Sequence, residues 1–165
     1  MNQILEVLRA TPEMEAQIAD FFRVLADVRE SEIFGPHPFT AEQAFAIANY
    51  HGADFYAFAI HCEKVIGYGM LRGWDQGYDI PSLGISIHPN FRSIGIGNML
   101  MYYLHSVASL RGCTKIRLRV NRDNHSATRL YDKMGYKFEG DNEKYLVGFA
   151  QLKQGSIGRE GNSER

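Results

Sequence analysis

The segment Ile85-Ser86-Ile87-His88-Pro89-Asn90-Phe91-Arg92-Ser93-Ile94-Gly95-Ile96-Gly97-Asn98 joins an apolar branched run to a proline, an arginine and two glycines, ahead of a helix-forming stretch. It reads as a buried strand, a glycine loop and a helix start. Backbone N–H groups at a helix N-terminus lack partners, the dipole adds roughly half a positive charge, and glycines let an anion approach without a Cβ in the way. The chemistry this favours is the holding of phosphate. Neither G-x-G-x-x-G nor Gly-Lys-Ser/Thr is present, so on the glycines alone a plain strand–helix connection fits as well. A second group follows about 30 residues later, Asn124-x-x-Ala127-x-x-Leu130-Tyr131, then Met134-Gly135-Tyr136. Asn124 and Tyr131 are two helical turns apart and can face one cleft. By itself a Leu-Tyr pair on a helix is ordinary core packing.

Charge is divided along the chain. Residues 1–91 hold five Lys+Arg against 12 Asp+Glu, a balance of −7, and residues 92–165 hold 13 against 7, a balance of +6, which recovers the net −1. Arg111, Lys115, Arg117, Arg119, Arg122, Arg129, Lys133 and Lys137 fall in one short stretch with only Asp123 and Asp132 opposed. Either these are solvated faces, or the second half handles an anion. A pI near 6.6 lacks the basic excess that nucleic-acid binding demands. With 45% apolar and 22% charged residues in 165, the composition is that of one soluble domain, expected over residues 1–152, with a mobile polar tail over 153–165. No apolar run approaches the ~20 residues of a membrane span and no signal pattern opens the chain, so a cytoplasmic protein is expected. Cys62 and Cys113 are too few for a disulfide framework or metal quartet and read as packing residues.

Strands and helices must interleave to position these groups. Gln3–Arg9 alternates as a strand, and Thr11-Pro12 predicts an N-cap and first-turn proline for a helix to about Val28, burying Ile18, Phe21, Phe22 and Leu25. Thr40 with Gln43 predicts a capping box for a second helix that ends by His51-Gly52. Residues 54–61 and 65–72 flank Cys62-Glu63-Lys64 as a hairpin, and residues 80–88 form a further strand with Leu83, Ile85 and Ile87 on one face. A long helix over residues 97–110, a strand over 114–120, a helix over 126–133 and closing strands near 136–138 and 145–149 complete the order, with Gly112 and Gly135 as helix stops. An exposed strand at Tyr145–Phe149 would offer a pairing edge, so monomer and homodimer both stay open.

Together, Arg92-x-x-Gly95-x-Gly97 behind a strand ending Ile87-His88-Pro89, and Asn124-x-x-Ala127-x-x-Leu130-Tyr131 ahead of Gly135-Tyr136, resemble the GNAT superfamily of acyl-CoA-dependent N-acyltransferases. The motifs cover Leu83 to Phe138. The resemblance implies an α/β (α+β) fold: a mixed, mostly antiparallel sheet of six to seven strands, splayed between strands 4 and 5, with about four helices on both faces. It implies acetyl-CoA as co-substrate and no metal. The coenzyme pyrophosphate would rest on the backbone from Arg92 through Ser93, Ile94, Gly95, Ile96 and Gly97 to Asn98. Ile85, Ser86 and Ile87 would pair with the pantetheine arm and aim an N–H at the thioester carbonyl. Asn124 and Ala127 would border the arm, and Tyr131 would protonate the leaving thiolate, which a phenol of pKa about 10 can do at neutral pH.

Many relatives carry a glutamate base on the fourth strand, whereas this chain has Gly84, Ser86 and His88 there and no carboxylate between Asp79 and Asp123. His88 is the base candidate by pKa. Asp79, Asp75 and Glu32 are alternatives through a water, and Cys113 is expected to be an inert buried thiol. The acceptor site of such folds implies the segments 29–39 and 73–79, here offering Glu32, Phe34, Trp74, Asp75, Tyr78 and Asp79. Carboxylates among aromatic rings suit a small amine, an amino sugar or a cation. The expected activity is acetyl transfer from acetyl-CoA to such an amine. A protein α-amine or lysine as acceptor, and a non-catalytic acyl-CoA-binding module, are the alternatives. The acidic first half favours a cationic acceptor.

Overall fold

The computed structural model describes residues 4–28 and 35–155. Seven strands form one sheet: β1 (Leu5–Arg9), β2 (Phe55–His61), β3 (Lys64–Arg72), β4 (Ser82–Ile87), β5 (Lys115–Asn121), β6 (Lys137–Gly140) and β7 (Tyr145–Gln151), in the order β1-β2-β3-β4-β5-β7-β6. Every neighbouring pair is antiparallel except β4 and β5. The described helices are α1 (Glu15–Asp27), α2 (Ala41–Ala48), α3 (Ile96–Leu110) and α4 (His125–Lys133). The mixed sheet and the order of elements agree with the expectation above. Glu32, Phe34 and most of the expected tail lie outside the described residues.

The two faces of the sheet take alternate residues of the same strands, as the two-residue period of a strand requires. Tyr56, Phe58, Tyr68 and Met70 meet Ile18, Phe21, Phe22 and Leu25 of α1 and Ala44 and Ile47 of α2. Phe55, Ala57 and Leu71, with Ile116, Leu118 and Val120 of β5, meet Met101, Leu104 and Ala108 of α3 and Tyr131 of α4. Burying each of these large side chains is worth about 1.5–3 kcal/mol, more than the ~1 kcal/mol of a helix cap. Packing therefore dominates, and caps decide where each helix starts. Thr40 Oγ1 accepts from Gln43 N at 3.1 Å, the first half of the expected box. Thr11 makes no such side-chain cap; residues Pro12–Met14 form a 3-10 turn, so α1 begins at Glu15. Cys62 and Glu63 both have positive φ and close the β2–β3 hairpin in two residues, the backbone sign of a type I′ turn. Cys62 is exposed, contrary to its reading as packing; Cys113 is buried and burial raises its thiol pKa.

Two features shape the centre of the molecule. β4 and β5 pair only at Ser82↔Arg117 and Leu83↔Leu118, whereas β5 and β7 pair along their whole length. The sheet splays beyond Leu83, which leaves Gly84, Ile85, Ser86 and Ile87 of β4 without a ladder on that side. β7 lies between β5 and β6, so the exposed pairing edge expected at Tyr145–Phe149 is not there; the outer strands are β1 and β6. The second feature is the close seat of α3 on β3. A Cβ at Gly67 would lie 2.9 Å from Leu100 Cδ1, 3.2 Å from Ile96 Cγ2 and 3.3 Å from Ala59 Cβ. Gly67→Val should therefore lower unfolding stability by about 1–3 kcal/mol through overpacking, read as a lower urea midpoint; an unchanged midpoint would show that α3 is free to shift outward.

Candidate active site

Beyond the splay, a cleft of about 460 Å³ opens between the end of β4, the loop into α3, and α4. Ile85, Ser86, Ile87, Arg92, Ser93, Gly95, Gly97 and Asn98 line it from one side, and Asn124, Ala127 and Tyr131 from the other. Gly95 is the N-cap of α3 in the left-handed conformation, φ +96°, which suits glycine. No side chain caps the helix and its first turn holds no acid. The first backbone bond of the helix is Met99 N to Gly95 O, 3.0 Å, so the N–H groups before it lack intrahelical partners. Arg92 Nε donates to Ile87 O at 3.1 Å and ties the loop to the strand end. The cleft can hold an elongated anion: a positive helix end at its mouth and an open strand edge along its wall.

Asn124 caps α4, its Oδ1 accepting from Ala127 N at 3.2 Å. Tyr131, two turns on, is 7% exposed and its ring lies 5.8 Å from that of Tyr136, whose hydroxyl bonds His105 Nε2 at 2.8 Å. Burial raises the phenol pKa of Tyr136, so it stays neutral behind Tyr131. Two expected residues do not line the cleft. Ile94 is exposed, and Ile96 packs into the core with Leu100 and Ile66. Ser126, Arg129, Leu130 and Lys133 line it in addition. Their spacing at one, four, five and eight residues into α4 is a single helical face, a periodicity that was available from sequence.

His88 does not line this cleft. Its Nδ1 accepts from Asn90 N at 3.2 Å, and its ring lies beside Phe21 and Phe91. In the neutral tautomer that leaves Nε2 as a donor, with no lone pair for an amine proton.

A second cleft, about 710 Å³, lies on the opposite face of the sheet. Arg117 and Arg119 of β5 point there, because Ile116, Leu118 and Val120 between and beside them are buried under α3 and α4. Ser82 and Leu83 of β4, Arg72 of β3, Tyr145 and Phe149 of β7, and Tyr78 and Asp79 of the loop complete the walls. Trp74 and Asp75 do not reach it. Trp74 lies under the Arg111 guanidinium, 4.2 Å from ring centroid to Cζ. Asp75 accepts from the Tyr50 hydroxyl and from Ala53 N, and the Tyr50 bond is the main cause of its lowered pKa. Buried Asp54 accepts from Gly73 N at 2.9 Å and Asp75 N at 3.2 Å. These carboxylates pin the loop to the start of β2. Sequence reading missed Asp54 because nothing in its neighbours marks it as buried.

Among the described residues no group of His, Cys, Asp and Glu could hold a metal, and no helix is long and apolar enough to cross a membrane.

His37, His88 and His105 all have pKa values below 6.5, in each case chiefly through burial. The folded chain then binds fewer protons than the unfolded chain below pH 6.5, so stability falls as pH drops through that value. The urea midpoint should be lower at pH about 5.5 than at about 7.5, and His105→Gln should reduce the difference; equal midpoints would contradict the burial argument.

The family model described as the acetyltransferase (GNAT) family matches residues 17–136. An acetyltransferase of Sodalis glossinidius is 32% identical over 89 residues, 54% of this chain and 61% of its own length. One of Pectobacterium atrosepticum is 32% identical over 87 residues, 53% of this chain and 60% of its own. The chain thus spans about three fifths of these curated relatives. Among solved structures, the GNAT acetyltransferase of Streptococcus pneumoniae superposes with a TM-score of 0.73 at 19% identity, covering 91% of this chain and 100% of that one. The PaiA N-acetyltransferase of Thermoplasma acidophilum, in complex with coenzyme A, gives 0.73 at 16% identity, covering 90% and 99%. With the family model matched over residues 17–136, and the fold shared, this chain belongs to the GNAT acetyltransferase family.

Proposed function

We propose that the chain is an acetyl-CoA-dependent N-acetyltransferase acting on a primary amine of a small molecule, by direct attack with both substrates bound. The observation that carries this reading is the pair of clefts on opposite faces of the sheet, both bordering the β4–β5 splay. A thioester in the first cleft and an amine in the second would meet through the gap. The named relatives are acetyltransferases, and one fold neighbour was solved with coenzyme A.

Acetyl-CoA, when bound, supplies the activated acyl carbon and a thiolate leaving group. The open N-terminus of α3, with Arg92, Arg129 and Lys133 on the same walls, suits its phosphates. The unpaired edge of Gly84–Ile87 suits an amide-bearing arm, and a backbone N–H on that edge donates to the thioester oxygen as it gains charge. As the C–N bond forms and the C–S bond breaks, Tyr131 gives its phenolic proton to sulfur and recovers one from solvent. Of the carboxylates considered above, Asp79 lines the amine cleft, and we assign it to receive the amine proton through water. Tyr78, Tyr145 and Phe149 give that cleft aromatic walls that suit an amino-sugar ring or a shorter amine.

Tyr131→Phe should lower kcat about 100-fold or more, the usual worth of general acid catalysis, with the Kd for coenzyme A changed less than about twofold in titration calorimetry. Unchanged kcat in a thiol-release assay would remove Tyr131 from the mechanism. Tight coenzyme binding with no thiol release on any amine would favour a non-catalytic binding module.

A further inference from the structure

We propose that the acceptor carries an anionic group beside its amine, a carboxylate or phosphate, and that Arg117 and Arg72 bind it. This rests on the assignment of the second cleft to the amine.

Three residues lining that cleft are arginines, Arg72, Arg117 and Arg119, against one carboxylate, Asp79. Arg119 is already engaged, its Nε donating to Asp141 Oδ2 at 2.6 Å and its guanidinium stacked 3.8 Å from the centroid of Tyr145. Arg72 donates one N–H to Pro36 O at 3.0 Å, which leaves its charge uncompensated by that neutral carbonyl. Arg117 differs from both. Its Nε is buried without a hydrogen-bond partner, the one such side-chain atom among the described residues. No ion pair joins Asp79 to any of these arginines among the described residues.

A guanidinium N–H withdrawn from water without an acceptor is costly to the fold, and a bidentate carboxylate or phosphate is the partner its geometry fits. Arg117 lines the second cleft from the strand beside the splay. Its backbone pairs with Ser82 in one of the two rungs that join β4 to β5, next to the splay, and Phe149 of β7 is its partner on the other side. Asp79 on the same cleft gives the opposite charge for an ammonium. The cleft therefore matches a molecule with a positive and a negative end, such as an amino acid or a phosphorylated amino sugar. The acidic first half of the sequence favours a cationic acceptor; the arginines of this cleft add a site for an anionic group beside the amine.

The test uses matched amines: lysine against cadaverine for carboxylate, and glucosamine 6-phosphate against glucosamine for phosphate. With coenzyme A present at saturation, calorimetry on the wild-type protein should give at least about tenfold tighter binding of the anionic member in one arm, the usual worth of a charge-assisted pair. The arm that responds identifies the anion. Arg117→Gln and Arg72→Gln should each erode that preference about tenfold, Arg117→Lys should retain part of it, and Arg117→Glu should shift preference toward cadaverine. A preference inverted by one charge reversal cannot arise from misfolding. Equal binding of both members in both arms, or a preference unmoved by the arginine variants, would overturn the proposal. Thiol release measured on the same amines is the separate check on acetyl transfer: its absence would sink the enzymatic reading while the binding ratios still decide this one.

Discussion

The short contact between β4 and β5 is the constraint on which the rest of the molecule depends. Two parallel pairs, Ser82↔Arg117 and Leu83↔Leu118, hold the halves of the sheet together, and beyond them the strands diverge. A full ladder would satisfy every backbone group and leave no site. The divergence instead leaves polar backbone exposed on the inner edge of β4, which is tolerable only where water or a ligand can reach it. The cost is offset elsewhere, by the long ladders of β2 with β3 and β5 with β7 and by the cores on both faces. α3 has a matching role. Pressed onto β3 where Gly67 and Gly69 carry no side chain, it brings its uncapped N-terminus to the end of β4.

The two faces of the splay differ in how their charge is held. On the α3–α4 face, cations stand around a helix end whose dipole has the same sign, an arrangement for an extended polyanion. On the other face, the buried cluster under α1 and α2 includes no residue of β5 or β7, and Arg117, Arg119 and Phe149 line an open cleft. The basic stretch of the sequence is thus divided between clefts and bracing. Arg111 packs on Trp74 and donates to Ala53 O, and Arg122 Nε donates to Asn142 O. Strand alternation and helical period, not the count of charges, decide this division.

Rigidity at the site comes from side chains that accept backbone N–H groups. Asp54 and Asp75 clamp the loop after β3, and Asn124 clamps the start of α4 that carries Tyr131. A loop held by several backbone N–H bonds to carboxylates keeps Tyr78 and Asp79 in place without needing a core of its own. The neutral His105–Tyr136 pair backs Tyr131 in the same way, filling the space behind the ring with a satisfied hydrogen bond rather than a charge.

Much of this was legible in the sequence. Hydrophobic period located each described element to within a few residues, and Gly112 and Gly135 marked helix stops that the structure places at positive φ. The glycine loop and the Asn124–Tyr131 spacing identified one cleft, because a helix N-terminus and a helical repeat are local properties. Residues 73–79 were harder. Trp74 and Asp75 looked like ligand groups by type, and their engagement with Arg111, Tyr50 and Ala53 depends on partners 22 to 37 positions away. The sequence by itself determined the order of elements, the open helix start behind the glycine loop and the two opposed charge halves. Only the tertiary structure decided that β7 is interior, that His88 spends its acceptor nitrogen on a cap, and that Arg117 stands in the second cleft with a buried N–H. The reason is physical: period and capping act over a few residues, whereas the face a charge meets is set by which strands lie beside it.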